Sequence, residues 1–104
     1  MSTVAEILSA IHGRFNPEAA DDLDVVFQFC IDDDDFFTLK VADKRCELIA
    51  GEHDDPTVSL QMSAETLSQV ANGELNGMQA FMTGKLKAEG NIMLATRLST
   101  LFGL

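Results

Sequence analysis

The sequence contains no tryptophan and no tyrosine, so its aromatic side chains are seven phenylalanines. Phenylalanine rings carry no hydrogen-bonding group, and this composition therefore predicts purely apolar aromatic contacts. Positive charge is also scarce, because seven Lys and Arg residues oppose 17 Asp and Glu residues and leave a formal net charge of −10. Such a chain repels phosphate backbones and anionic membranes at long range, which argues against nucleic acid as a partner.

Long apolar runs and targeting signals are missing as well. The N-terminus has no basic segment followed by an apolar one, and no stretch approaches the length needed to span a bilayer. The C-terminal residues Phe102, Gly103 and Leu104 do not form a peroxisomal SKL-type address. We therefore expect a cytoplasmic protein. Its 104 residues predict one domain over 1–104, large enough to fold without disulfides or metal.

The first half of the chain changes from helical to strand periodicity. Apolar residues at helical spacing predict a helix over 3–13. Alternation of apolar and polar residues then predicts three strands, over 23–31, 36–41 and 45–50, joined by short polar turns as an antiparallel meander.

The second half alternates between strands and helices. The predicted elements are a strand over 57–62, a helix from a Ser63 cap to Gly73, a short helix over Met78–Met82, a strand bracketed by Gly84 and Gly90, and a last helix capped by Asn91. This order predicts an α+β fold with a five-stranded, mostly antiparallel sheet and helices packed on one face.

The two cysteines fall on strands that a third strand separates. Strand spacing then places Cys30 and Cys46 about 9 to 10 Å apart, beyond the limit of about 7 Å between the Cα atoms of a disulfide. We predict that both are reduced.

Four consecutive aspartates, 32–35, are the most conspicuous candidate for a metal site. An EF-hand loop that started at Asp32 would need glycine at its sixth position and glutamate at its twelfth, where Phe37 and Asp43 stand instead. A solvated hairpin turn is the preferred interpretation. His53 with Asp54 and Asp55 lacks a second nitrogen ligand nearby, so no metal site is predicted there either.

Catalytic motifs are also missing from the sequence. There is no nucleophile elbow, no GxGxxG after a strand and no GxxxxGK[ST]. The sequence therefore predicts neither an enzyme nor a cofactor.

The second half is rich in methionine. The apolar side chains around its two short helices are Met62, Met78, Met82, Met93, Phe81, Leu94, Leu98 and Phe102. Methionine is flexible and polarisable and suits the wall of an adaptable apolar pocket. On composition alone an ordinary core is favoured over a pocket.

Residues 71–102, ANGELNGMQAFMTGKLKAEGNIMLATRLSTLF, closely resemble the C-terminal signature of the sterol carrier protein type-two lipid-transfer family. The matching motifs are Ala80-Phe81, Gly84-Lys85-Leu86-Lys87 and Gly90-Asn91, and the segment 55–67 fits the layout of the same family. The chain resembles a stand-alone form of this domain.

The resemblance implies an apolar tunnel between the sheet and the helices. It also implies non-catalytic binding of a fatty acid, acyl-CoA, phospholipid, sterol or isoprenoid-like ligand. The expected lipid-binding residues are Met62, Leu67, Met78, Phe81, Met82, Leu94, Leu98, Leu101 and Phe102. The alternative is a scaffold or accessory protein of a lipid or isoprenoid-quinone pathway, with the tunnel filled by side chains. A transient contact with a membrane or a lipid-pathway enzyme is compatible with either, and the sequence leaves the oligomeric state open.

Overall fold

The computed structural model describes residues 3–20 and 23–103. Within these ranges it contains five α-helices, a 3-10 turn and five strands. In chain order they are α1 (Val4–His12), the 3-10 turn (Pro17–Ala20), β1 (Val25–Ile31), β2 (Asp35–Ala42), β3 (Arg45–Ala50), β4 (Val58–Met62), α2 (Ala64–Ala71), α3 (Gly77–Met82), β5 (Leu86–Gly90), α4 (Ile92–Ala95) and α5 (Arg97–Phe102).

The five strands form one sheet in the order β3-β2-β1-β4-β5. Three neighbouring pairs run antiparallel, and β1 and β4 run parallel. The predicted α+β fold, its mostly antiparallel sheet and its N-terminal meander are confirmed. The order also places β2 between the strands of the two cysteines, which are both free thiols.

The aspartate run forms the turn between β1 and β2. Ile31 pairs with Asp35, and Asp32 and Asp33 have φ angles of 54° and 70°. Aspartate tolerates this left-handed region better than most residues, which is why the run suits a tight turn. The Asp32 carboxylate also accepts a hydrogen bond of 3.1 Å from the Ala64 amide at the start of α2. The hairpin interpretation is confirmed.

The core lies between the inner face of the sheet and the helices. Its largest fully buried side chains include Phe27 and Phe29 of β1 and Phe102 of α5. On the opposite face of β1, the loop after β3 covers the centre of the sheet, where the Gln28 side-chain oxygen accepts a hydrogen bond of 2.9 Å from the His53 amide.

The C-terminal helix differs from the prediction. One helix was expected from Asn91, but the chain turns at Thr96 and forms two short helices, α4 and α5. Asn91 occupies the N-cap position of α4, yet in the described part of the chain its side chain makes no capping hydrogen bond. Apolar residues have the same spacing in one continuous helix and in two helices separated by a turn. The sequence pattern therefore did not indicate the break at Thr96.

Candidate functional site

A cavity of about 190 Å³ lies between the sheet and the helices. Strands β1, β4 and β5 form its floor, and α1, α2, α3 and the α4–α5 region form its walls. The lining residues are Ile11, Phe29, Leu60, Met62, Leu67, Val70, Gly77, Met78, Phe81, Leu86, Ala88, Thr96 and Leu98.

The cavity lining is almost entirely apolar. Thr96 supplies the single polar side chain among the described lining residues, and none of them is charged. Its hydroxyl already donates a hydrogen bond of 2.6 Å to the carbonyl of Met93. Because an unpaired charge or polar group is costly to bury in such surroundings, the cavity suits an apolar group.

The exposed lining residues mark the mouth of the cavity. Phe29 and Leu67 are 2% exposed, whereas Met78 is 52% and Phe81 40% exposed. Thr96 is also exposed, at the junction of α4 and α5. The cavity therefore opens between α3 and this junction.

Capping hydrogen bonds at both ends fix the position of α3 at the mouth of the cavity. The Asn76 side chain accepts a hydrogen bond of 2.7 Å from the Met78 amide and caps the start of the helix. At its end, Gly84 has a φ of 80°, and the amides of Gly84 and Lys85 donate to the carbonyls of Phe81 and Ala80. This is the Schellman arrangement, which favours glycine at the left-handed position. Ala80 is buried, so α3 is anchored between a fixed start and a fixed end.

Five of the nine residues expected from the sequence to bind lipid line the cavity: Met62, Leu67, Met78, Phe81 and Leu98. The other four lie elsewhere. Leu101 and Phe102 are completely buried in the core, Leu94 packs against that core, and Met82 is 78% exposed. That the nine side chains contact a lipid stays a prediction.

Eight lining residues were not singled out from the sequence. These are Ile11, Phe29, Leu60, Val70, Gly77, Leu86, Ala88 and Thr96. Strand alternation divides the side chains of a strand between two faces of the sheet. It gave no sign of which inward residues border empty space, because a void depends on how the facing helices pack.

The two histidines have structural contacts. His12 Nε2 lies 2.7 Å from the carbonyl oxygen of Cys46 and links α1 to β3. His53 Nδ1 accepts a hydrogen bond of 3.0 Å from the Asp55 amide within its own turn. Within residues 3–20 and 23–103, no group of three or more His, Cys, Asp or Glu side chains could hold a metal ion.

Both cysteine thiols have a raised pKa, which makes them less reactive. Burial raises the pKa of Cys46 to about 11, and burial together with the Asp33 and Glu52 carboxylates raises the pKa of Cys30. A raised pKa keeps a thiol protonated at neutral pH, and the thiolate is the nucleophile.

We expect alkylation of Cys30 and Cys46 by iodoacetamide at about pH 8 to be at least roughly tenfold slower in the native protein than in urea. Equal rates, followed by mass spectrometry of both sites, would contradict these thiol environments.

Comparison with known proteins gives a family match over nearly the whole chain. Residues 8–103 match the SCP-2 sterol transfer family. A fatty acid-binding protein of Yarrowia lipolytica is 42% identical over 41 residues, which are 39% of this chain and 32% of that protein. The segments matched in curated relatives span only 10% to 32% of the lengths of those proteins.

Solved structures share the fold. The palmitated SCP2L2 of Aedes aegypti matches with a TM-score of 0.81 and 21% identity, over 95% of this chain and 93% of that one. A double mutant of the sec-alkyl sulfatase PisA1 matches with a TM-score of 0.87 and 17% identity, over 97% of this chain and 16% of the sulfatase. At these identities the likeness establishes the fold alone. No helix in the described ranges combines the length and the apolar character needed to cross a bilayer.

Proposed function

Because the chain belongs to the SCP-2 sterol transfer family, we propose that it binds a lipid through an acyl chain inserted into the cavity and carries that lipid without transforming it. The observation that supports this most directly is the apolar lining, which contains a single threonine as its polar side chain among the described residues. The similarity to a fatty acid-binding protein points to the same class of ligand.

The volume of the cavity favours a ligand with a single acyl or isoprenoid chain. Its volume of about 190 Å³ is slightly larger than an engineered cavity of about 150 Å³ that binds benzene, and smaller than the roughly 300 Å³ at which pockets for drug-sized ligands begin. A segment of an acyl or isoprenoid chain fits this space, whereas a sterol ring system requires the walls to move apart.

The lack of charged side chains in the described cavity lining determines which end of the lipid enters first. The interior offers no charged partner for a carboxylate or phosphate among the described lining residues, and the exposed mouth lies at Met78, Phe81 and Thr96. The acyl chain of the lipid therefore enters the cavity by its methyl end, and the polar group of the lipid stays at the mouth, in water. We place this carrier in the cytoplasm, although two matched relatives are peroxisomal proteins.

Affinity is expected to rise with the length of the acyl chain and then level off. Each buried methylene contributes about 0.8 kcal/mol, so two more carbons lower the Kd by about tenfold while they still enter the cavity. Competition between a fluorescent fatty acid and a series of saturated fatty acids, each below its critical micelle concentration, measures this dependence.

The shape of that series separates the alternatives. A Kd that falls and then stays constant supports a cavity of fixed length. No saturable uptake, together with no lipid in organic extracts of the purified protein, would contradict lipid carriage and favour the accessory role with a filled tunnel.

A further inference from the structure

Gly77 differs from the other glycines of the chain in what its surroundings require. Five of the seven glycines have a φ in the left-handed region, where a side chain is strained. Gly13, the C-cap of α1, has a right-handed φ of −67°, but a Cβ there would touch the carbonyl oxygen of Ala10 at 3.4 Å. Gly77 has neither feature, because its φ lies outside the left-handed region and a Cβ there would meet no described atom within 4 Å. The described part of the fold therefore does not require glycine at this position.

Glycine is also an unfavourable residue for the start of a helix. Gly77 is the first residue of α3 and follows the Asn76 cap directly. Alanine or proline at this position would restrict the unfolded chain more strongly and would favour the helix. A residue that lowers stability, and that its own surroundings do not require, indicates a functional constraint.

Gly77 lies on the wall of the cavity, between its mouth and its interior. It is the single glycine among the described lining residues. Gly77 is half-buried, whereas Leu67 inside the cavity is 2% exposed and Met78 at the mouth is 52% exposed. The Asn76 side chain binds the Met78 amide across Gly77 and holds this part of the wall in place. A lipid chain that runs from the mouth into the cavity therefore passes bare backbone at Gly77.

We propose that Gly77 determines how wide a lipid chain the cavity admits, and that the space left by its missing side chain takes the methyl branches of an isoprenoid chain. This inference rests on the proposed lipid carriage and names the class of lipid. Glycine permits the close approach of a ligand to the backbone. A straight acyl chain does not need that space, whereas each branch of an isoprenoid chain adds a methyl group to its width.

The test is displacement of a fluorescent fatty acid by two acids whose main chains have equal length. Dodecanoic acid is straight, and farnesoic acid is an isoprenoid acid with methyl branches. The wild type is expected to bind farnesoic acid at least as tightly as dodecanoic acid. Gly77→Leu is expected to weaken the binding of farnesoic acid by roughly tenfold or more, because about two methyl groups lose their place at about 0.8 kcal/mol each. The same variant is expected to weaken the binding of dodecanoic acid by about threefold at most.

Two further variants separate a role in binding from a role in folding. Gln79→Leu is the matched control, because it places a leucine at an exposed position of the same helix that does not line the cavity. Gly77→Ala is expected to leave the Tm unchanged or to raise it by up to about 5 °C, because alanine restricts the unfolded chain. It is also expected to weaken the binding of farnesoic acid by about threefold, because its methyl group occupies the place of one branch.

The outcomes distinguish this proposal from lipid carriage itself. A lower Tm of Gly77→Ala would assign the glycine to the fold and overturn the proposal. Equal losses of both acids in Gly77→Leu, or the same losses in Gln79→Leu, would also overturn it, and lipid carriage would stand. A wild type that binds dodecanoic acid and rejects farnesoic acid would have the same meaning. A wild type that binds neither acid nor the fluorescent fatty acid would contradict lipid carriage, and the proposal would fail with it.

Discussion

Replacing Gly90 with alanine is expected to lower the free energy of unfolding by roughly 3 kcal/mol or more and the Tm by about 10 to 20 °C. Gly90 ends β5, opposite Val58 of β4, and has a φ of 95°. A Cβ added there would lie 2.5 Å from the carbonyl oxygen of Thr57. That oxygen belongs to the backbone and accepts a 3.1 Å hydrogen bond from the Asn91 amide, so it cannot move aside without breaking the pairing of β4 and β5.

Gly84→Ala is the matched control. Gly84 has a similar φ of 80°, but a Cβ there would meet nothing within 4 Å. This substitution should therefore cost only the strain of the left-handed backbone, about 1 to 2 kcal/mol. Urea unfolding of both variants measures the difference, and equal losses would show that close packing of β4 against β5 is not what requires glycine at position 90.

The strand pattern is the part of the fold that sequence reasoning predicted best. Side chains that alternate on β1 bury Val25, Phe27, Phe29 and Ile31 on one face, as period two requires. Periodicity carries no information on the strand neighbour, so the parallel pairing of β1 with β4 was not predicted. Pairing depends on the path of the chain through the loop of residues 51–57 and on contacts distant in sequence.

The methionines illustrate why the site was predicted only in part. Core and pocket were the alternatives from composition, and the methionines divide between pocket and surface. Met62 and Met78 line the cavity, whereas Met82 and Met93 lie mostly in water. Segments of similar apolar content can place a methionine in the cavity lining or at the surface, because its position depends on where the short helices α3 and α4 begin and end.

Filling the cavity with one side chain is expected to weaken fatty acid binding by at least about a hundredfold. Ala88 lies on β5 opposite Leu60 and lines the cavity. The ring added by Ala88→Phe is the size of benzene, which by itself occupies a cavity of about 150 Å³, so little of the 190 Å³ would remain. Excluding about four methylenes removes about 3 kcal/mol of binding free energy, which corresponds to a factor above one hundred.

The fold is expected to survive this change, because phenylalanine is favoured in strands and the new ring fills existing space. Lys87→Phe is the matched control, since it adds the same ring to the neighbouring residue of β5, which is exposed and does not line the cavity. Displacement of a fluorescent fatty acid gives the Kd, and urea unfolding shows whether each variant is folded. A folded Ala88→Phe protein that binds as tightly as Lys87→Phe would mean that the acyl chain binds outside this cavity.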